Sequence, residues 1–395
     1  MRRRLPPTVI SLGWVSLLTD LSSEMIYPLL PAFLTGVLGA GAAALGVIEG
    51  TAEATASVLK VGSGVWSDRV RRRKPLVLLG YTVSGISRPL IGLATAWTGV
   101  LALRFGDRVG KGLRTSPRDA LIADTVEPGL RGRAFGFHRA MDHAGAVAGP
   151  LVAAALLSLG VPLRAVFLLA ALPAAAVVVV ILWGVQEPRE SPPAIAASPS
   201  TSAAALSPGF RRLLAALALF TLGNSTDAFL LLRMTDLGIP AAGVALLWSA
   251  HHVVKLGANL WGGRVVDRVG RKPSLTIAWG FYALVYAGFA SVSSPTAVIA
   301  WFLAYGLYFG LAEPAERAWT ADLAPRGFRG RAYGWVHGVM GLAALPASLL
   351  FGGVWKAWGA PAAFGLGALL ALGGLCLLLA TPATHPAPDD PPALA

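Results

Sequence analysis

Apolar runs long enough to cross a bilayer recur down the whole chain, and this limits its fold more than any other feature. A helix needs about twenty residues to cross the hydrocarbon layer. Twelve runs qualify, at roughly 8–34, 42–67, 75–97, 99–123, 131–158, 162–185, 211–234, 241–267, 273–293, 296–321, 329–357 and 361–381. Backbone polar groups find no water in lipid, so spans of this kind are helical. The expected fold class is an all-α membrane protein with twelve transmembrane helices. Only 13% of the 395 residues are charged, roughly half the share of a soluble domain.

The net charge of +13 falls mostly in short loops between the apolar runs. One set of alternate loops holds Arg2–Arg4, Arg69 to Lys74, Arg131 and Arg133, Arg211 and Arg212, Arg268 to Lys272, and Arg326 and Arg329. The other set is nearly uncharged, as in TGVLGAGAA (35–43) and SVSSP (291–295). This is the positive-inside bias rather than a nucleic-acid surface. With an even number of spans it puts both termini in the cytoplasm, in a cytoplasmic (inner) membrane. The N-terminus also has the basic and apolar regions of a signal peptide, but Asp20 and Glu24 interrupt the apolar run. The sole cysteine, Cys376, excludes a disulfide framework or a paired-cysteine metal site within one chain. The Pro-, Ser- and Ala-rich segment 186–210 reads as a cytoplasmic linker between an N-terminal bundle (1–185) and a C-terminal bundle (211–383), with a disordered tail at 384–395.

The two halves repeat one another. WSDRVRRRKPL (66–76) recurs as VVDRVGRKPSL (265–275), and ADTVEPGLRGRAFGF (123–137) as ADLAPRGFRGRAYGW (321–335). Parallel repeats are one way to build a transporter, with the substrate site between halves near the midplane. At these residues the chain resembles the major facilitator superfamily. The loop signature G-x-x-x-D-R-x-G-R-[RK] is met by Gly64, Asp68, Arg69, Arg72 and Arg73, with Arg71 in place of glycine. It is met again by Gly263, Asp267, Arg268, Gly270, Arg271 and Lys272. The resemblance implies two pseudo-symmetric six-helix bundles and a gating loop of Gly64, Asp68, Arg69, Lys74, Asp267 and Arg268. That loop would latch the halves in one state of alternating access. GAVAGP, with Gly145, Gly149 and Pro150, looks like the glycine–proline motif that marks antiporters and exporters in this superfamily. Ala347 and Ser348 stand at the corresponding positions of the second half.

Charge inside the spans marks the candidate site. RFGDRVGKGLRTSPRD (104–119) falls within the fourth helix, and Arg104, Arg108, Lys111 and Arg118 lie within about 80° on one face. Intramembrane charge is costly unless it is paired or faces water, so this face is expected to line a cavity or meet acids. Arg104 matches the arginine of the family's helix-4 signature, R-x-x-Q-G, but Asp107 and Arg108 replace its glutamine and glycine. Asp20, Glu24, Glu49, Glu53 and Asp142 are the candidate proton carriers. Arg104, Asp107, Arg108, Lys111 and His138 are candidate substrate contacts. On the other half Phe302, Tyr305 and Phe309 occupy the positions of Arg104, Asp107 and Lys111, suggesting an aromatic wall opposite a charged one. Asn224, Asp227, His252 and Lys255 complete the candidates, the last two on one helix face with Trp248 and Asn259.

The expected function is secondary active transport, with proton-driven export of a small amphipathic or anion-bearing compound. It needs no cofactor beyond a proton gradient and no nucleic acid, and one chain in its bilayer should suffice. Proton symport of an anionic metabolite and divalent metal export remain as alternatives. A membrane enzyme or sensor is disfavoured by the lack of HExxH, GxSxG and Walker motifs.

Overall fold

The computed structural model describes residues 4–30, 33–40, 42–70, 72–187, 207–225, 227–239 and 241–381. Most of the expected linker and the whole expected tail lie outside the described residues. The N-terminal half contains α1 (Pro7–Glu24), α2 (Ala42–Arg69), α3 (Lys74–Leu90), α4 (Trp97–Thr125), α5 (Arg131–Ser158), α6 (Leu163–Leu169) and α7 (Ala171–Gly184). The C-terminal half contains α8 (Pro208–Gly223), α9 (Ala228–Asp236), α10 (Ala241–Val269), α11 (Arg271–Ser291), α12 (Pro295–Leu323) and α13 (Arg329–Leu379).

The helix starts follow from local chemistry. Pro7, Pro75, Pro208 and Pro295 stand in first turns, where the missing N–H is one the helix leaves unbonded anyway. The Ser207 hydroxyl accepts from the Phe210 N–H at 3.1 Å, and that of Ser294 from Ala297 at 3.3 Å. The breaks are equally local. The expected eleventh and twelfth spans run on as α13, interrupted at Gly359, whose φ of 84° suits glycine alone. The expected seventh span is divided between α8, which ends at Gly223, and α9, which begins at Ala228, and α1 stops at Glu24.

Seven described helical stretches are long and apolar enough to cross a membrane: Pro7–Leu29, Lys74–Leu93, Pro128–Ser158, Leu163–Gly184, Arg271–Ser291, Pro295–Leu323 and Arg329–Leu379. Helices α2, α4 and α10, of 28, 29 and 29 residues, are of similar length. Buried side chains gather by half. One cluster is drawn entirely from residues 210–378 and is rich in stacked aromatics, with Phe220 over Trp279 and Tyr282 over Tyr286, each pair at 4.2 Å between centroids. Two further clusters come from the N-terminal half, one of them joined by Ala318, Ala321 and Tyr333.

The halves meet along α2 against α13 and α5 against α10. These crossings are close because glycine faces glycine. A side chain on Gly64 would strike the Gly330 carbonyl, and one on Gly263 would strike Gly132.

Candidate functional site

The repeated loops close one end of the molecule. Asp68 accepts hydrogen bonds from the backbone N–H groups of Gly330 and Arg331 at 2.8 and 2.7 Å. Asp267 accepts from those of Gly132 and Arg133, both at 2.8 Å. Each carboxylate therefore caps the N-terminus of a helix in the opposite half, where unbonded N–H groups and the helix dipole favour an anion. Arg73 pairs with Asp68 at 3.4 Å and with Asp124. Arg271 pairs with Asp267 at 2.9 Å and with Asp322 at 3.0 Å. Across the interface Arg329 meets Asp124 at 2.5 Å, and Arg131 meets Asp322. Each of these bonds has a pseudo-symmetric twin, and Arg73 plays the part of Arg271 although the loop signature aligns it with Lys272.

Two lysines beside the lock tie helix ends. Lys74 donates to the Leu182 carbonyl at 2.8 Å and Lys272 to that of Leu379 at 2.9 Å. Each thus ties a helix end within its own half, where a cation suits the negative pole of the dipole. Arg69 and Arg268 are exposed at the ends of α2 and α10.

Further in lies a cavity of about 290 Å³. Ser16, Thr19 and Asp20 from α1, Lys60 from α2, Tyr81 from α3 and Lys111, Arg114, Thr115 and Arg118 from α4 line it. Arg139 and Asp142 from α5, Arg317 from α12 and His337 from α13 complete it. Eleven of these thirteen residues belong to the N-terminal half. Asp142 accepts from the Ser16 hydroxyl at 2.7 Å and pairs with Arg139. Arg118 holds Asp119 at 2.8 Å, and Asp119 is met from the other half by His337 at 2.9 Å and Arg317 at 3.8 Å. Beside the cavity Arg139 donates to Glu313 at 2.9 Å, Asn259 donates to the same carboxylate at 3.1 Å, and His143 lies 3.3 Å from both Glu313 and His252. This second polar layer also joins the halves.

The charged stretch of α4 divides in two. Lys111 and Arg118 reach the cavity, as do Asp20 and Asp142. Arg104 and Asp107 do not: Asp107 is 1% exposed and is bound by Arg88 at 2.7 Å and Arg104 at 3.4 Å inside the N-terminal half. Arg88 also donates to the Thr19 carbonyl at 3.0 Å. An acid placed one turn after Arg104 gives that arginine a local partner, so the pair is sequestered. Arg108 is outside the lining as well. Glu24 stands beneath Gly149, whose missing side chain lets α5 press against α1; Gly145 does the same at Leu17 and Asp20. Pro150 follows within α5. His138 is fully buried, and neither ring nitrogen has a hydrogen-bond partner among the described residues. Glu49 and Glu53 lie on α2, but their side chains are outside the described residues.

The aromatic positions of α12 do not form the wall expected opposite α4. Phe302 and Tyr305 are buried in the C-terminal core, stacked on His251 with centroids 4.6 and 5.4 Å away. Rings on a helix that packs against several aromatic neighbours gain more from burial than from a polar vestibule. The wall opposite α4 is instead Arg317 and His337. Phe309 lies under the ammonium of Lys255 at 3.7 Å, and Lys255 is 3.7 Å from Asp227, which accepts from Tyr305 at 3.2 Å. Asn224 accepts from Tyr282 at 3.3 Å. His252 contacts His143 and Trp248, between the halves and outside the cavity lining.

Arg114, Arg139, His143, Glu313, Arg317 and His337, together with the lock residues Asp124, Arg131, Asp322 and Arg329, were not among the sequence candidates. The lock residues stand in the repeated A-D…R-G-R-A block, which was a signal. Glu313, an acid inside an apolar span, was another. Among the described residues no three His, Cys, Asp or Glu side chains come together as a metal site.

This architecture is shared. The model of the Major Facilitator Superfamily matches residues 12–233 and 213–394, and the chain belongs to that family of membrane transporters of small molecules. It is 34% identical over 372 residues to an uncharacterized MFS-type transporter of Methanocaldococcus jannaschii, covering 90% of each chain. It is 30% identical over 348 residues to an uncharacterized protein of Mycobacterium tuberculosis, covering 86% of this chain and 84% of the other. Among solved structures, the human organic anion transporter MFSD10 superposes with a TM-score of 0.81 at 20% identity, over 95% of this chain and all of that one. At that identity the likeness speaks for the fold.

Proposed function

We propose that the chain is a secondary active transporter that exports a small anion-bearing organic compound in exchange for protons. The observation that carries this reading is the cavity beside the interface of the halves, where six lysine and arginine side chains meet two carboxylates, Asp20 and Asp142. A cationic chamber attracts an anion, and carboxylates beside it supply a place for a proton. Loss or gain of that proton changes how strongly the arginines are held, which couples it to occupancy of the chamber. Asp20 and Asp142 are the foremost proton carriers, with Glu24 close by under Gly149. Export follows from the glycine–proline motif at Gly145, Gly149 and Pro150.

In this reading twelve helices span the cytoplasmic membrane, in bundles 1–185 and 211–383 joined by a linker at 186–210, with both termini and the Asp68 and Asp267 lock on the cytoplasmic side. A single chain is the working unit, and a proton gradient is its only energy source. Rocking of the bundles breaks the lock and opens the chamber to the other side.

The test is solute movement in proteoliposomes with an imposed pH gradient. Antiport predicts that solute moves against the direction of proton flow and stops when the gradient is collapsed. Co-movement of solute and protons, or movement indifferent to the gradient, overturns the proposal.

A further inference from the structure

Beside the chamber, four side chains stand in line across the interface of the halves. His252 of α10 faces His143 of α5 with their Nδ1 atoms 3.3 Å apart, and the Nε2 of His143 lies 3.3 Å from Oε2 of Glu313 on α12. The Glu313 carboxylate is taken up by Arg139 at 2.9 Å and by the Asn259 amide at 3.1 Å. The line therefore passes from the C-terminal half to the N-terminal half, back again, and ends on Arg139 of α5. His143 and Glu313 are buried, and His252 is the partly exposed end.

Hydrogen-bonding rules fix where the hydrogens lie. Arg139 and Asn259 both donate to Glu313, so this carboxylate is an acceptor and the Nε2 of His143 carries a hydrogen toward it. A neutral imidazole has one donor nitrogen and one acceptor. The Nδ1 of His143 is then the acceptor, the Nδ1 of His252 is the donor, and the Nε2 of His252 is left to accept. The charged and titratable neighbours are held elsewhere. Lys255, one turn along α10, pairs with Asp227 at 3.7 Å, and His251 gives its Nδ1–H to the Phe302 carbonyl at 2.9 Å. Asp142 on α5 is bound by Arg139 and by the Ser16 hydroxyl. On α1, Asp20 and Glu24 stand against Gly145 and Gly149, further along α5 than His143.

Resting on the proton-driven reading above, we infer that His252 and His143 form a relay that delivers a proton to Glu313, and that Glu313 is the proton site governing the contact of the halves there. Imidazole suits a relay because it takes a proton on one nitrogen while giving one from the other. A proton arriving from water bonds to Nε2 of His252. The Nδ1–H of that ring breaks as its proton passes to Nδ1 of His143. The Nε2–H of His143 breaks as its proton passes to Oε2 of Glu313. One proton has moved from water to the carboxyl, and both rings stand in their other tautomers until they rotate or a proton returns. Both gaps are at the long end of hydrogen-bond reach, as is common in a site at rest. Neutral Glu313 gives up its charge-assisted bonds to Arg139, which Asp142 keeps within the N-terminal half. The proton itself thus cuts a tie between α5 and α12, which links its arrival to rocking of the bundles.

The experiment follows carboxyl protonation by infrared difference spectroscopy after a rapid drop in pH, on the purified full chain in detergent. Protonated-carboxyl absorption appears, and the part of it missing in Glu313→Gln reports Glu313. His143→Gln and His252→Gln each slow the rise of that part about tenfold or more and leave its final size unchanged. Added imidazole restores the rate, which it would not do for a ring that merely packs. A second measurement, on the unaltered protein, does not depend on whether the variants fold: with nitrogen-15 histidine, a nitrogen–nitrogen coupling between two rings shows a hydrogen shared between them. The inference is overturned by the absence of that coupling or of a Glu313 component. It is equally overturned by an unchanged rate in either histidine variant, or by a slowed rate that imidazole does not restore. Proton-driven transport at full rate in Glu313→Gln overturns the relay and leaves the export reading standing. A Glu313 signal carried through the histidines, in a protein that moves no solute against a proton gradient, supports the relay and overturns the export reading.

Discussion

Replacing both lock carboxylates, Asp68→Asn with Asp267→Asn, should spring the closed end apart. Asp68 is buried, its side chain 1% exposed, and gathers two backbone N–H bonds and the pairings with Arg73 at 3.4 Å and Arg331 at 3.8 Å. Asparagine keeps the shape but loses the charge, and it turns an NH₂ group toward donors where an acceptor stood. A hydrogen bond to a charged group contributes about 1.5–3 kcal/mol. Because one oxygen survives, the loss is about 2–3 kcal/mol per lock, or roughly 30- to 150-fold in the ratio of closed to open. The two locks share no partner, so their effects should add to about 4–6 kcal/mol. The readout is a spin-label distance measurement between Arg69→Cys and Arg268→Cys, exposed positions on opposite halves, in a Cys376→Ser background that removes the sole cysteine. The intact lock gives one short distance. Each single variant adds a longer population, and the double variant makes it dominant. An unchanged distance distribution in the double variant would refute the lock.

Asp20→Asn and Glu24→Gln should each abolish proton-driven transport in proteoliposomes while the protein still inserts; full gradient-driven activity in both removes these residues from the proton path. Gly149→Val should cut transport severalfold at normal membrane abundance, because a Cβ there would lie 2.6 Å from that of Glu24, and Gly149→Ala should fall between. Arg88→Gln removes the 2.7 Å partner of buried Asp107 and leaves the longer contact to Arg104, a loss of about 3 kcal/mol, seen as a clear fall in Tm in detergent; an unchanged Tm shows that the pair adds nothing.

Much of the fold was legible because membrane helices are written in residue type alone. Run lengths pointed to most of the helices, and the repeat pointed to two related halves. Helix breaks were harder. Gly359 separates two helices that nearly join, and the seventh span divides after Gly223 with no proline to mark the break. At the site, the sequence marked charge in the right helix but not its destination. Lys111 and Arg118 reach the chamber, whereas Arg104 and Asp107 satisfy each other and Arg88. One helical face can serve two ends, since its upper and lower turns meet different neighbours. Glu313 carried a signal of its own as an acid inside an apolar span, but its meeting with Arg139 is a property of the interface. The aromatics of α12 misled for the opposite reason: alignment placed them opposite the charges, and packing turned them into the core.

The account rests on a chamber that opens to one side of the membrane at a time. Its most direct test is the reactivity of Lys111→Cys, in the Cys376→Ser background, toward a membrane-impermeant maleimide in right-side-out and inside-out vesicles. With the lock intact, labelling should occur only in right-side-out vesicles; with Asp68→Asn and Asp267→Asn it should shift to inside-out ones. No labelling from either side in either background would mean the charges are sealed within one half, and the transport mechanism drawn here would not hold.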